Sequence, residues 1–501
     1  MNTKKLVSTA KDLASVHPAF LLSELSTRLP EDIPLPELYR ALSPHLLALG
    51  LTAEKTGGDY RIRRRTRSAP YTLSEQEKER IGSFFLKNRV PAALEQAVEQ
   101  YITKKVGKPW DDPVILERLR RSVVAQKNDY WRAQKRRSLS YTKGYSVLGY
   151  LAYHLPVYFM QTGHLLYTLA VAGLLKPEMN VLDVGTGPGV VPLAIADFYS
   201  RLDHARAHVT SVERSDEHIE AFAFLTQEFS KKSPHVTIDP PIRADIRRIP
   251  ADAAIPDTID LCVFSNVLNE LSDLSIDQRA DTVMQVAQRL SPDGAIVIVE
   301  PAEKENTIQL RQLSRVLADR GLTIYSPCPD LWGTRCDPSR CWSFETQADI
   351  RPTQLMDRLA QCDEPFRYIN TDIKYAYVIL RKDRMVQHPY RVPPRAKFSR
   401  LSKLHLHVNR RINVIAAKMS RELGDKKTHV FKLCDGTAAK PVYAVLPSYH
   451  ITLENNEIVS APYGAVLELH NVLVRYNKAH DAYNLLVTRD TVIPAPLSGN
   501  D

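Results

Sequence analysis

No apolar stretch in the 501 residues reaches the ~18 that a membrane-crossing helix needs, which excludes a helical membrane protein. The first residues carry lysines but no apolar block, which argues against a secretory signal, and Asp12 with the lack of early arginines argues against a transit peptide. The compartment expected from this is the cytoplasm. Nothing repeats and no tract is of low complexity, so a repeat array is excluded. Cysteine is scarce: six are too few to staple a chain of this size as a disulfide scaffold. Acidic residues are also in deficit, 57 against 67 Lys and Arg, giving a net charge of +10. That excess suggests a polyanionic partner, nucleic acid being the commonest, with a merely basic soluble enzyme as the plainer alternative. What remains, 44% apolar and 25% charged residues, is the composition of a soluble globular protein. Its length allows roughly three to four units of 100–200 residues.

What is present centres on Val181-Leu182-Asp183-Val184-Gly185-Thr186-Gly187-Pro188-Gly189-Val190-Val191. Residues 179–184 are a short apolar run, the pattern of a strand buried on both faces of a parallel sheet. Three glycines follow at every second position, then apolar residues resume at helical spacing (Val191, Leu193, Ala194, Ala196). Glycine permits positive φ and removes the Cβ that would hold a ligand off the backbone. A strand, turn and helix of this kind lay a nucleoside-sized ligand beside the helix N-terminus. The D-x-G-x-G-x-G pattern resembles motif I of class I S-adenosylmethionine-dependent methyltransferases. It differs from the dinucleotide G-x-G-x-x-G in glycine spacing and in Asp183. Acids recur at the ends of the strands that follow. Glu213 closes 207–212 and is placed to accept both ribose hydroxyls, Asp245 could accept from the adenine amino group, and 259–264 opens into Ser265-Asn266. The expected cofactor residues are therefore Asp183, Gly185, Thr186, Gly187, Gly189, Glu213, Asp245 and Asn266.

Along the chain, 1–68 reads as a winged-helix-like module, with helices over 18–29 and 35–49 and a hairpin turning at 56–59. Its outgoing strand runs into Arg63, Arg64, Arg65 and Arg67; such modules dock nucleic acid or protein. Residues 69–150 read as a helical basic region. Within it Arg118, Arg120, Arg121, Lys127, Arg132, Lys135, Arg136 and Arg137, interleaved with Tyr130 and Trp131, are balanced only by Glu117 and Asp129. A one-signed stripe with aromatics suits phosphate contact with base stacking, which points to RNA. Residues 151–385 are expected to form the methyltransferase-like α/β domain, led by an apolar helix region at 145–175 and ended by a hairpin of 366–370 and 374–380. A proline-containing basic linker then leads to 386–501. There, short strand patterns at 404–408, 412–417, 430–433, 442–446, 465–469 and 483–487 suggest a small β-barrel of the oligonucleotide-binding kind.

Three of the cysteines, Cys328, Cys336 and Cys341, share one irregular loop, 327–344. Thiolates gathered in a loop are zinc or iron–sulfur ligands, and the separations are longer than those of usual zinc pairs, which leans toward a cluster. For the fourth ligand, Cys262 lies inside a core strand pattern and Cys362 ends a helix pattern. Cys434, before Asp435-Gly436, would tie the last domain to the loop.

These features together resemble a known family, the methyltransferase-like proteins of small ribosomal subunit assembly, first described as mitochondrial and with microbial relatives. The resemblance is carried by Val267-Leu268-Asn269-Glu270-Leu271, Val299-Glu300-Pro301, Pro327-Cys328-Pro329 with the later cysteines, Lys374-Tyr375-Ala376-Tyr377-Val378-Ile379-Leu380-Arg381, and Cys434-Asp435-Gly436. It spans about residues 140–440. Two positions depart from the pattern: Ala302 stands where glycine is usual, and the order Cys341-Trp342 is inverted. The resemblance implies S-adenosylmethionine, a [4Fe–4S] cluster on Cys328, Cys336, Cys341 and Cys434 (zinc being the alternative), and small-subunit rRNA or a pre-ribosomal particle as partner. The chain is expected to be monomeric when free.

Catalytic residues are again a matter of absence. The segment Ser265-Asn266-Val267-Leu268 lacks the Asn-Pro-Pro-Tyr of amino-group methylases, and Cys262 sits too early in its strand for a C5 nucleophile. The expectation is a cofactor-binding rRNA factor, with methyl transfer open. The competing expectation is a methyltransferase acting on small molecules or proteins with a structural zinc site.

Overall fold

The computed structural model describes residues 3–31, 33–46, 49, 51–64, 69–131, 145–230, 233–249, 254–334 and 336–497. Contacts divide the chain into two compact units. One is Met1–Val263 with Thr282–Ala295 and Ile350–Thr371; the other is Phe264–Asp281 with Ile296–Asp349 and Asp372–Asp501.

The chain begins with α1 (Thr3–Val16), β1 (Ala19–Leu21), α2 (Leu22–Ser26), α3 (Leu35–Leu46), β2 (Leu51–Thr56) and β3 (Asp59–Arg64). The strands pair in the order β1-β3-β2 over a core that includes Leu6, Leu13, Leu25, Leu38, Leu42 and Ile62. The helix expected over 18–29 is a strand followed by a short helix. Helix α1 has no counterpart among the expected elements, although its buried Leu6, Ala10, Leu13 and Ala14 lie at three- and four-residue spacing among polar neighbours. Arg65 and Arg67 lie outside the described residues.

Next come α4 (Glu75–Lys87), α5 (Ala92–Val106) and α6 (Pro113–Trp131). A capping box starts α4: Glu77 N donates to Ser74 Oγ at 3.2 Å, and Ser74 N donates to the Glu77 carboxylate at 2.7 Å. The apolar region at 145–175 is two helices, α7 (Tyr145–Tyr153) and α8 (Leu155–Val171). Pro156, in the first turn of α8, has no N–H with which to continue α7.

The central sheet uses β4 (Glu178–Val184), β5 (Arg206–Glu213), β6 (Val236–Ile238), β7 (Ile242–Arg243), β8 (Ile259–Ser265), β9 (Leu290–Pro301), β10 (Thr323–Ser326), β11 (Glu345–Thr346) and β12 (Lys374–Arg381). Between them lie α9 (Val190–Tyr199), α10 (Asp216–Ser230), α11 (Ile276–Ala287), α12 (Lys304–Asp319) and α13 (Gln354–Leu359). The spatial order is β10-β12-β9-β8-β4-β5-β6, with β11 on β12 and β7 on β5. β4, β5 and β6 run parallel, and β12 is antiparallel to β10. Strand order reverses at β4, which places the ligand crevice at its C-terminal end. This is the sheet of a class I methyltransferase fold. The hairpin expected at its end is absent: 365–367 forms a 3-10 turn, where Pro365 removes a ladder donor, and β12 pairs with β10 and β11.

In the second unit β13 (Arg411–Lys418), β14 (Thr428–Cys434), β15 (Val442–Pro447), β16 (Val466–Asn477) and β17 (Ala482–Leu486), with α14 (Glu457–Ser460) between β15 and β16, form a closed barrel. Its order is β13-β14-β15-β17-β16, and only the β15–β17 pair is parallel. That is the topology of a five-stranded oligonucleotide-binding barrel. The segment expected as a strand at 404–408 belongs instead to a 3-10 turn, Leu401–Leu406, which drops Leu401 and Leu404 into the barrel core. Among the described residues, no helix is long and apolar enough to cross a membrane.

Candidate cofactor turn and thiol site

The glycine turn hangs from the end of β5. Gly185 N and Thr186 N both donate to Val212 O, at 2.9 and 3.1 Å, and Gly187 N donates to Glu213 Oε2 at 2.9 Å. Gly185, Gly187 and Gly189 have φ of +77°, +56° and +92°, so the turn needs left-handed backbone at every second residue. At Gly189, which starts α9, a Cβ would also meet the Phe222 ring at 2.8 Å. The cradle is built from backbone.

Glu213 is nearly buried, and its Oε1 accepts from Arg214 N and Ser215 N, both at 2.8 Å. With Gly187 N on Oε2, three of its roughly four acceptor positions are taken. The carboxylate as folded therefore offers one position to a ligand rather than the two that a pair of ribose hydroxyls would use. His218 Nδ1 lies 3.9 Å from Oε2, and its ring lies 5.9 Å from that of Tyr150. Asp183 is fully buried; burial pushes its carboxyl up to about 7, Glu213 adds to this, and Thr186 opposes it.

Asp245 caps the 3-10 turn after β7, accepting from Arg247 N at 2.9 Å, and lies 3.6 Å from the Arg214 guanidinium. Asn266 has φ of +54° and donates its N–H to Val299 O at 2.8 Å, a left-handed position that asparagine tolerates. Cys262 is buried within β8, in keeping with a core role. The first unit thus brings Asp183, Gly185, Thr186, Gly187, Gly189 and Glu213 into one arrangement, and these could hold a nucleoside cofactor.

In the second unit, loop 327–344 packs on the barrel at several points. Trp332 Nε1 donates to Asp435 Oδ2 at 3.0 Å, and the same oxygen accepts from Leu401 N at 2.8 Å. Ser343 Oγ donates to Met419 O at 3.0 Å, and a Cβ on Gly464 would touch Pro327 at 3.4 Å. This brings Cys434 to the loop: a Cβ on Gly436, two residues later, would lie 3.8 Å from Cys336 Cβ. Burial pushes the Cys434 thiol up, and the neighbouring Cys341 and Cys328 push it further. Gly436 N donates to Cys434 Sγ at 3.4 Å. The thiols are neighbours, yet among the described residues no three Cys, His, Asp or Glu side chains form a group that could hold a metal ion. Cys362 is exposed. Ala302, at the usual glycine position, accepts a 2.8 Å hydrogen bond from exposed Trp342 Nε1.

The expected RNA stripe divides. Arg120 donates to Leu359 O at 2.9 Å and to Arg358 O and Gln361 O at 3.2 Å, capping the end of α13. Lys127 donates to Arg367 O and lies 4.4 Å over the Tyr153 ring. Arg121 is well exposed and pairs with Glu117 at 3.1 Å. Arg132, Lys135, Arg136 and Arg137 lie outside the described residues.

Sequence reasoning missed Glu300 as a titrating group. It is buried in β9, accepts from Asn269 N at 3.2 Å, and burial pushes its carboxyl up to about 8. It also missed Arg311, Arg315 and Lys432, which border the thiols; the i,i+4 spacing of the two arginines just before the cysteine loop was the available signal.

Residues 144–431 match the family model described as mitochondrial small ribosomal subunit Rsm22. Residues 402–496 match the C-terminal domain of DUF8157, a domain of unknown function. A search of curated proteins returns no relative. Similar solved structures include the human N-acetylserotonin methyltransferase, at 12% identity over 76% of this chain and 93% of that one, with a TM-score of 0.23. Others are the mitomycin 7-O-methyltransferase, at 14% over 65% and 90% with a TM-score of 0.27, and a Listeria monocytogenes protein described as a class I S-adenosylmethionine-dependent methyltransferase, at 10% over 61% and 90% with 0.32.

Proposed function

The chain belongs to the mitochondrial small ribosomal subunit Rsm22 family, and from that premise we propose that it is an S-adenosylmethionine-binding factor that contacts small-subunit rRNA, or a particle containing it, during assembly or translation. The observation that carries this reading is the preformed glycine turn, tied by Gly187 N to Glu213 and kept open by three positive-φ glycines. Bound there, S-adenosylmethionine would supply a sulfonium methyl group. The residues to hold it are Gly185, Thr186, Gly187 and Gly189 at the turn and Glu213 through its remaining acceptor position, with Asp245 and Asn266 as further candidates. Methyl transfer would also need a positioned nucleophile and exclusion of water, and 265–268 offers no evident general base. A binding role therefore stands ahead of catalysis.

We read Cys328, Cys336, Cys341 and Cys434 as ligands of a structural [4Fe–4S] cluster, with zinc as the alternative. Supporting this are the donor type and the packing of the loop against the barrel beside Cys434. The RNA contact is assigned to Arg121 and to the basic run Arg132, Lys135, Arg136 and Arg137.

Calorimetric titration with S-adenosylmethionine and crosslinking to rRNA in cells test the first reading. Binding lost in Gly187→Arg together with crosslinks on small-subunit rRNA is the expected result, and a wild-type chain that binds neither defeats it. Radiolabelled methyl transfer to small-subunit RNA or immature particles, abolished in Gly187→Arg, would instead favour an enzyme. For the metal, anaerobic purification with iron and sulfide assays is decisive: a colourless protein with stoichiometric zinc removes the cluster.

A further inference from the structure

Residues 386–501 hold 16 Lys and Arg against nine Asp and Glu, so most of the chain's excess of +10 lies in and around the barrel. Barrels of this kind commonly bind oligonucleotides on the outer face of their second and third strands. Here loop 327–344 takes part of that face: Lys432 of β14 donates to Trp342 O, and Ser343 Oγ donates to Met419 O at 3.0 Å. The charge gathers elsewhere, on three segments at one end of the barrel. Residues 400–410 include the 3-10 turn Leu401–Leu406, 435–441 join β14 to β15, and 474–482 turn from β16 into β17. Leu401 N donates to Asp435 Oδ2 at 2.8 Å and Ser402 N to Thr437 Oγ1 at 3.2 Å. Asn409 N donates to Val474 O at 2.9 Å, and Val474 N to Arg410 O at 3.0 Å. Lys440 closes the triangle by donating to Tyr476 Oη at 3.2 Å and to the Asp481 carboxylate.

These segments carry Arg400, Lys403, Arg410, Lys440, Arg475 and Lys478 but only two acids. Asp435 is buried and spent on Leu401, Thr437 and Trp332, and Asp481 is engaged by Lys440 and Tyr476. The other five cations are exposed, and none pairs with a carboxylate among the described residues. Arg475 donates to Asn409 Oδ1, and Arg400 lies 4.8 Å over the Trp332 ring. A solvated surface ordinarily mixes its signs. Like charges held on a fixed backbone repel one another, and a polyanion relieves that repulsion. The large apolar side chains exposed on these segments are Leu406 and Tyr476, too little to insert into a lipid surface. Tyr476 is itself held by Asp481 and by Lys440, 5.0 Å over its ring, so it offers no free platform for a base. We propose that Arg400, Lys403, Arg410, Arg475 and Lys478 form a phosphate-binding surface for RNA, one that follows the backbone rather than reading bases. The inference rests on the reading that the chain contacts RNA, and adds a barrel site to the contact assigned to Arg121 and the basic run.

The test uses the full chain with poly(U) and poly(A) in filter binding across a salt series, and vesicles containing phosphatidylserine as a third probe. Lys403→Gln, Arg410→Gln and Lys478→Gln together should lower the salt slope by about 2, at roughly 0.7 for each lost phosphate contact. At 0.1 M salt that is about 100-fold weaker binding, equal on the two polymers. Arg410→Lys should bind as the wild type does. Circular dichroism verifies folding. Lys478→Gln alone, in an exposed turn, should lower the slope by about 0.7 and carries the test should the triple variant misfold. An unchanged slope in both glutamine variants overturns the inference while leaving the contact through Arg121 and the basic run intact. A loss confined to one polymer would mean base reading, and a loss of vesicle retention with RNA binding unchanged would mean a lipid partner; either overturns it. A wild-type chain that retains no RNA overturns both readings.

Discussion

The glycine turn and the cysteine loop are both irregular segments at the ends of sheet strands, but they are built on different principles. The turn at 185–189 is held by backbone hydrogen bonds to the adjacent strand end at Val212 and Glu213, and its shape follows from glycine φ values. The loop at 327–344 takes its fourth thiol from a barrel strand about a hundred residues later, and its side-chain anchors, Trp332 to Asp435 and Ser343 to Met419, reach into that barrel. One site is organised by its own backbone; the other is organised by side chains that reach into the barrel.

The largest effect expected from this contrast is at Cys434. On the proposed metal reading, Cys434→Ser should remove the metal and lower stability, by about 4 kcal/mol where the ligand is held at a thousand times its dissociation constant. Thermal unfolding of anaerobic samples measures it. Cys362→Ser, at an exposed thiol, should leave both metal content and melting temperature unchanged. Equal behaviour of the two serine variants would dissolve the contrast.

At the other site the glycines themselves should rank. Gly189→Ala combines φ of +92° with a 2.8 Å approach to Phe222, and should cost about 1–3 kcal/mol and abolish S-adenosylmethionine binding. Gly187→Ala has φ of +56° and nothing nearer than His218 Nδ1 at 3.8 Å, so the cost should be nearer 1 kcal/mol, with weakened binding. Urea melts and calorimetry would reveal a reversed order, which would mean that the Phe222 ring does not limit the turn.

Buried carboxyls give a third, smaller difference. Asp183 is raised to about 7 and Glu300 to about 8, so the folded chain keeps protons that the unfolded chain has released. Their contribution is therefore full below the ordinary carboxyl range and is lost as pH rises through 7 and 8. His154, buried and lowered to about 4, works oppositely, losing stability as pH falls from 6.5 toward 4. Glu300→Gln should flatten the alkaline side by on the order of 1 kcal/mol, leaving the part due to Asp183. Denaturant midpoints across that range supply the measurement, and an unchanged slope would exclude Glu300 as a proton holder.

The smallest effect separates two neighbouring arginines. Arg121→Ala should lower the salt slope of RNA binding by about 0.7 for each phosphate left without its cation, with stability unchanged. Arg120→Ala should instead destabilise, because three carbonyls at the end of α13 lose their donor, with the salt slope unchanged. Filter binding over a range of salt concentrations, alongside thermal melts, checks both, and matching profiles for the two variants would erase the distinction.

Much of the fold was legible because its signals are local. The alternation of buried runs with glycine, and acids at Asp183 and Glu213, marked the sheet and its crevice. Residues 412–417, 430–433, 442–446 and 483–487 lie in or overlap barrel strands β13, β14, β15 and β17. Local signals failed where a segment was read by its apolar content alone. Residues 404–406 pack as part of a 3-10 turn, and 366–370 form no strand after Pro365. Helix α1 hid its apolar face among polar residues, and the inward pull on Arg120 and Lys127 depends on carbonyls some 240 residues away. A stripe of positive charge looks the same in one dimension whether it meets solvent or caps a helix.

By itself, then, the order of residues determined the glycine turn, the sheet it belongs to and the supply of thiols, since φ preference, strand burial and side-chain chemistry belong to short stretches. Only the folded chain decided that Cys434 meets the loop, that Glu213 has spent most of its acceptors on backbone, and that Arg311 lies buried on the carbonyls of Tyr377 and Ser343. Proximity and desolvation are properties of packing, and they arise only when distant segments exclude water together.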